Sequence, residues 1–201
     1  MFARFLLVLV VLIVVAADRD TEPSQVHIAL AGKNDYGDAN TMTISWQTIS
    51  KTTTSTVKYG VSASSLNLKA TGSSSSYYET YHHHVTLNVL DPATTYYYQV
   101  GDETGGFSEQ LKFTSAPNGS TKRSFSYAVF GDLGTYNGNA TMNYMTSIKD
   151  TVDLVWHSGD VGYADDSFLH QGCVLSFCYE DSYDNYMNLI QPWTSQVTIS
   201  T

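Results

Sequence analysis

Leu90-Asp-Pro-Ala-Thr-Thr-Tyr96 joins a leucine, a proline-containing turn and a tyrosine that belongs to the next segment, Thr95-Tyr-Tyr-Tyr-Gln-Val100. Outward from this corner lie more segments of the same kind: Gln25-Val-His-Ile-Ala-Leu30, Thr41-Met-Thr-Ile-Ser-Trp-Gln47, Thr56-Val-Lys-Tyr-Gly60, His84-Val-Thr-Leu-Asn-Val89 and Gln110-Leu-Lys-Phe113. Apolar and polar residues alternate in each, as required of a strand with one buried face and one wet face. Clusters of Gly, Ser, Asn and Asp separate them, and no helical period intervenes. Many short strands at regular spacing predict an all-β sandwich over residues 22–117.

The Leu90–Tyr96 corner resembles that of fibronectin type III domains, which implies a tyrosine hydroxyl bonded back to the turn backbone. Beyond it, Ser115-Ala-Pro-Asn-Gly-Ser-Thr-Lys122 lacks periodicity and is rich in Ser, Gly and Pro, so residues 118–123 read as a linker. The pattern then changes for residues 124–201. Ser124-Phe-Ser-Tyr-Ala-Val-Phe130 is a strand running into Gly131-Asp-Leu-Gly134. Residues 140–150 are helix-like, Thr151-Val-Asp-Leu-Val-Trp-His157 is a second strand running into Ser158-Gly-Asp160, and residues 180–190 form a further helix. Strand, helix and strand make a βαβ unit whose parallel strands end at one edge. Asp132 and Asp160 therefore emerge together, where open α/β sheets build their sites.

Two carboxylates at neighbouring strand ends repel one another unless a cation holds both ionised. The flanking glycines let backbone approach a ligand or metal. Tyr163, three residues beyond Asp160, is placed to turn its phenol toward the same point.

Gly131-Asp-Leu-Gly134 and Gly159-Asp-Val-Gly-Tyr-Ala-Asp165 resemble the first two metal motifs of the purple acid phosphatases, Asp-x-Gly and Gly-Asp-x-x-Tyr. The likeness extends to Gln25-Val-His-Ile-Ala-Leu-Ala-Gly32, His83-His-Val-Thr-Leu87 and Thr94-Thr-Tyr-Tyr-Tyr-Gln-Val-Gly-Asp102, and reaches Tyr183-Asp-Asn-Tyr-Met187. It implies a fibronectin type III-like sandwich followed by the first βαβ part of an α/β metallophosphatase domain. It also implies a binuclear centre of ferric iron, Fe(III), with a second divalent metal, Fe, Zn or Mn. Asp132 would ligate the ferric ion, Asp160 would bridge both metals, and Tyr163 would bind as phenolate. The implied activity is hydrolysis of phosphate monoesters at acidic pH, by a hydroxide that the metals generate from water.

The family's later motifs, Gly-Asn-His-Glu/Asp, Val-x-x-His and Gly-His-x-His, supply an Asn and three His, and none occurs here. The chain as given is therefore expected to be inactive or nearly so, as a truncated product, an alternative transcript or an incomplete gene model. Its second part, about two strands and two helices, is expected to leave unpaired sheet edges and to be trimmed by proteases back to the sandwich. The family's acid/base histidines have no counterpart. His82, His83 and His84 sit in a strand where neighbours face opposite ways, which favours structural or surface roles. His157, just before the Gly-Asp turn, reads as a residue that supports a ligand or is packed rather than as a ligand itself, and His170 is unassigned.

At the amino terminus, Arg4 precedes an apolar run, Phe5 to Val15, followed by Ala16 and Ala17. That layout is a secretory signal peptide over residues 1–17, since a membrane span needs about 20 apolar residues. Export makes Asn118-Gly-Ser120 and Asn139-Ala-Thr141 candidate glycosylation sites at Asn118 and Asn139. It also makes a disulfide the leading reading of Cys173 and Cys178, the only cysteines, over a zinc site that two thiols cannot close. A net charge of -9 with ten Lys and Arg and no basic run argues against nucleic acid. Two other readings stand beside the phosphatase: a secreted binding module whose sandwich is the working part, and another metallophosphoesterase such as a phosphodiesterase.

Overall fold

The computed structural model describes residues 19–32, 40–118, 123–168, 170 and 173–200; the expected signal peptide, 1–17, lies outside them. No described helix is long and apolar enough to cross a membrane.

The first part contains β1 (Ser24–Leu30), β2 (Met42–Thr48), β3 (Thr56–Gly60), β4 (Leu68–Thr71), β5 (Ser73–Tyr77), β6 (Thr80–Leu87), β7 (Thr95–Asp102), β8 (Gly106–Phe107) and β9 (Leu111–Thr114). One sheet runs β1-β2-β6-β5 and the other β4-β3-β7-β8, with β9 also on β7. Alternation sends every second residue inward. Ile28, Ile44, Trp46, Val85 and Leu87 from one sheet meet Val57, Tyr96, Tyr98, Val100 and Phe113 from the other. Each such side chain contributes about 2 kcal/mol by leaving water. At the corner, the Asp91 N–H donates to the Tyr96 hydroxyl at 2.9 Å, as the resemblance implied. The three strands absent from the sequence reading, β4, β5 and β8, are short. Ser73-Ser-Ser-Ser-Tyr77 is exposed at every position, so it carries no alternation to read.

The second part is β10 (Tyr127–Gly134), α1 (Asn139–Ile148), β11 (Leu154–Gly162), α2 (Tyr179–Thr194) and β12 (Thr198–Ser200). The strands are parallel in the order β10-β11-β12. Met142 and Met145 of α1 and Tyr186, Ile190 and Trp193 of α2 form one core with Leu133 and Val155. Both helices cover the same face. Tyr127, Val129 and Trp156 stand exposed on the strands at 62, 55 and 55%. The strands begin later and run further than expected, carrying Asp132 and Asp160 inside β10 and β11 rather than in turns beyond them. Residues 198–200, to which the sequence reading assigns no element, form the third strand.

The second part, expected to be trimmed away by proteases, is docked on the sandwich in the structure. Gln25, at φ 56° beside a register shift in β1, turns its amide onto α2. Its Nε2 donates to Asp184 Oδ1 at 3.0 Å, and Gln47 Nε2 reaches Asp184 Oδ2 at 3.3 Å. The Val26 N–H donates to Gln191 Oε1 at 2.8 Å, and the buried Tyr98 hydroxyl donates to the Ser195 carbonyl at 2.6 Å. These are buried or half-buried bonds, each costly to leave unmade. A chain cut between residues 118 and 123 at an inserted protease site is therefore expected to run as one species in gel filtration. Separation of the two pieces without denaturant would contradict the docking.

Among the three consecutive histidines, the structure buries His83 and leaves His84 exposed. His83 stacks on Trp46 with ring centroids 5.0 Å apart. Thr48 Oγ1 gives its proton to the Ser50 carbonyl at 2.8 Å, so it accepts from His83 Nε2–H at 2.9 Å. Ser55 Oγ–H then donates to Nδ1 at 2.9 Å. Burial first, and the neighbouring histidines second, lower the His83 pKa from 6.5 to about 4. The unfolded chain thus takes up this proton first as pH falls, so the contribution is intact above 6.5 and is lost between 6.5 and about 4. Urea unfolding at about pH 7 and about pH 4.5 is expected to show wild type losing on the order of 2 kcal/mol more than His83→Gln. Equal losses in the two proteins would remove His83 as the cause.

Candidate metal centre

The parallel pairing of β10 and β11 is regular from Tyr127↔Leu154 to Gly131↔Ser158 and resumes at Leu133↔Val161. Two residues of β11, Gly159 and Asp160, thus stand opposite Asp132 alone. Such a bulge re-aims side chains at a sheet end. Asp132 takes the left-handed conformation, φ 53°, and Gly159 has φ 85°. The Asp160 N–H donates to Asp132 Oδ1 at 3.0 Å, tying one acid to the backbone of the other. Both carboxylates are exposed.

Tyr163, also left-handed at φ 45°, opens the short turn Ala164–Ser167. Desolvation, then the fields of Asp132 and Asp160 and a hydrogen bond to Asp160, push its phenol above the usual tyrosine range. A cation among these groups would reverse that field. Asp160, Tyr163, Asp165 and Tyr179 line an open cleft of about 430 Å³. Among the described residues, no three His, Cys, Asp or Glu side chains converge to hold a metal by themselves. The donors present are two carboxylates and a phenol, an all-oxygen set that suits a hard, highly charged cation and leaves its remaining positions open.

A larger cleft, about 560 Å³, lies far from these acids, between the sandwich and the amino ends of β10 and β11. Lys112 there pairs with Asp150 at 2.8 Å and Arg123 with Asp153 at 2.6 Å, and Lys149 donates to the Pro192 carbonyl at 3.2 Å. It offers no chemistry comparable to the acidic edge.

His157 is buried, and burial lowers its pKa. Its Nε2 accepts the Leu133 N–H at 3.4 Å, and its Nδ1 meets the Tyr186 hydroxyl at 3.4 Å, so it sits beneath the bulge rather than at the cleft. His170 Nδ1 bonds the Asp166 carbonyl at 2.7 Å. Cys173 and Cys178 are bonded to each other. Asn118 is exposed, and Asn139 is the first residue of α1. Sequence reading missed Tyr179 and Asp165 as lining residues. Their only signal was proximity to the Tyr163 motif and the cysteine pair.

A β-sandwich docked on a parallel unit with paired carboxylates at its carboxyl edge defines the class of fold. Residues 23–115 match the family model of the purple acid phosphatase N-terminal domain. A phosphoenolpyruvate phosphatase from Allium cepa is 36% identical over 85% of this chain and 35% of its own length. Purple acid phosphatase 5 of Arabidopsis thaliana is 32% identical over 85% of this chain and 41% of its own length. The structure of a purple acid phosphatase from yellow lupin (Lupinus luteus) seeds superposes with a TM-score of 0.72 at 20% identity, covering 90% of this chain and 35% of that one. The chain is an amino-terminal portion of the purple acid phosphatase family. It spans a little over a third of the length of these relatives.

At Gly159 an added Cβ would run into Asp132 Oδ1, and the residue already lies at φ 85°. Gly159→Ala is therefore expected to destabilise the chain by about 1–2 kcal/mol and to displace Asp132. Urea unfolding measures the first effect. An unchanged midpoint would mean the bulge yields freely and does not fix the acids.

Proposed function

We infer that the chain supplies the sandwich and the first metal-binding half of a secreted purple acid phosphatase that hydrolyses phosphate monoesters at acidic pH. The observation that carries this reading is the bulge that sets Asp160 against Asp132 with Tyr163 beside them. Residues 22–117 are the sandwich, 118–123 the linker and 124–201 the partial metallophosphatase domain. Asp132 and Tyr163 would hold Fe(III), and Asp160 would bridge to a second divalent ion, Fe, Zn or Mn. When bound, such metals make hydroxide available near neutral pH and orient phosphate oxygens.

The chain's own residues prepare that site. The Asp160 N–H fixes one oxygen of Asp132. His157, by accepting the Leu133 N–H, holds the strand just past Asp132. Cβ and Cδ2 of Tyr163 lie 3.1 Å from where a Gly134 Cβ would be, so Gly134 gives the root of that side chain room at the bulge. Acidic pH suits the pairing, since phosphate esters then carry less charge toward an acidic edge. Export with cleavage after Ala17, glycans at Asn118 and Asn139, and the Cys173–Cys178 bond belong to the same reading. Most described cations, such as Lys58, Lys69 and Lys112, already pair with acids, which leaves nucleic acid without a basic surface.

The test is to extend the coding sequence downstream and secrete the longer product. An in-frame extension with Gly-Asn-His and Gly-His-x-His motifs is expected to give a coloured enzyme that hydrolyses para-nitrophenyl phosphate at about pH 5, at least about 10³-fold faster than its Asp160→Ala variant. The 201-residue chain alone is expected to show no turnover. Turnover that survives Asp160→Ala would sink the assignment, and the absence of such an extension would favour the binding-module reading.

A further inference from the structure

The loop beyond Tyr163 carries an aromatic ladder that the metal half-site does not use. Phe168 and Phe177 have ring centroids 5.2 Å apart, and Phe177 stacks on Tyr179 at 5.2 Å with planes 2° from parallel. All three rings remain exposed, at 39, 50 and 48%. Grouped apolar exposure of this kind marks a binding surface more often than scattered residues do.

The ladder is not a loose surface. The Cys173–Cys178 bond closes the turn that carries Phe177, directly before Tyr179. The Cys178 N–H donates to Oγ of the buried Ser167 at 3.1 Å, and the Cys173 N–H donates to the His170 carbonyl at 2.8 Å. Rings held this way lose little freedom when something stacks on them. Tyr179 ties the ladder to the chemistry, because it also lines the cleft with Asp160 and Tyr163. No Lys or Arg lines that cleft, while Asp165 does and Asp166 and Glu180 stand near it in sequence. A ligand reaching from the acids onto the ladder is therefore favoured if it is flat and uncharged, and disfavoured if it carries further anionic groups.

We propose that Phe168, Phe177 and Tyr179 form the leaving-group subsite, selecting aryl phosphate monoesters over polyphosphorylated ones. The proposal rests on the half-site reading above. In the hydrolysis it serves, water adds OH to phosphorus and its proton to the departing aryl oxygen as the phosphorus–oxygen bond breaks. The free phenol is left on the ladder.

The secreted chain itself provides the test, with naphthol, naphthyl phosphate and inorganic phosphate as probes in fluorescence or NMR titrations. Naphthol is expected to bind saturably, Phe177→Ala to weaken it about 3- to 10-fold, and Phe177→Trp to retain it. Adding zinc is expected to raise affinity for naphthyl phosphate at least about tenfold over naphthol, and Phe177→Ala to leave inorganic phosphate binding unchanged. Absence of naphthol binding, or binding that Phe177→Ala leaves untouched, overturns the subsite while the half-site reading stands. Naphthol binding with no effect of zinc on either phosphate probe is instead the failure of the half-site reading, and the leaving-group role falls with it.

Discussion

The parallel pairing of β10 with β11, broken by one extra residue, is the constraint on which the acidic edge depends. Parallel strands bring their carboxyl ends to one side, and the bulge at Gly159–Asp160 then brings an N–H of one acid onto the carboxylate of the other. The left-handed backbone at Asp132 and Tyr163 costs on the order of 1 kcal/mol each, and it persists because the surrounding structure fixes it. Beneath the bulge, His157 accepts from Leu133 and contacts Tyr186, so the core of the unit is tied to the conformation of the site.

Much of this was legible in the sequence because it rests on short-range rules. Alternation located the main sandwich strands, and the Leu90–Tyr96 corner gave a bond that the structure contains. The strand–helix–strand order placed Asp132 and Asp160 at one edge. The bulge was not legible, since nothing in Gly131-Asp-Leu-Gly134 announces a register shift against a strand some thirty residues away. Strands β4 and β5 escaped notice because their side chains are mostly exposed, and strand character there is carried by backbone pairing alone.

The docking of α2 on β1 was hidden for a related reason. Gln25, Gln47 and Gln191 read as ordinary polar positions of a strand face and a helix face. Only when the two parts are assembled do their amides find Asp184 and the Val26 backbone. A polar side chain that will be buried against another part of the chain looks, in sequence, like one that faces water.

That junction also links the sandwich to the acidic edge mechanically. Asp184 accepts from the sandwich, and one residue earlier Tyr183 packs against Gly162, with ring atoms 3.0 Å from where a Cβ would stand. Gly162 precedes Tyr163 directly. The sandwich therefore reaches the phenol through a single turn of α2, with no long lever between them. Helices packed at both ends transmit position because close-packed interiors resist small displacements. Two exposed carboxylates at one sheet edge repel one another, and bracing of this kind opposes their separation. The sandwich in this chain is thus part of the scaffold of the site, and its core supplies rigidity that the small three-stranded sheet lacks on its own.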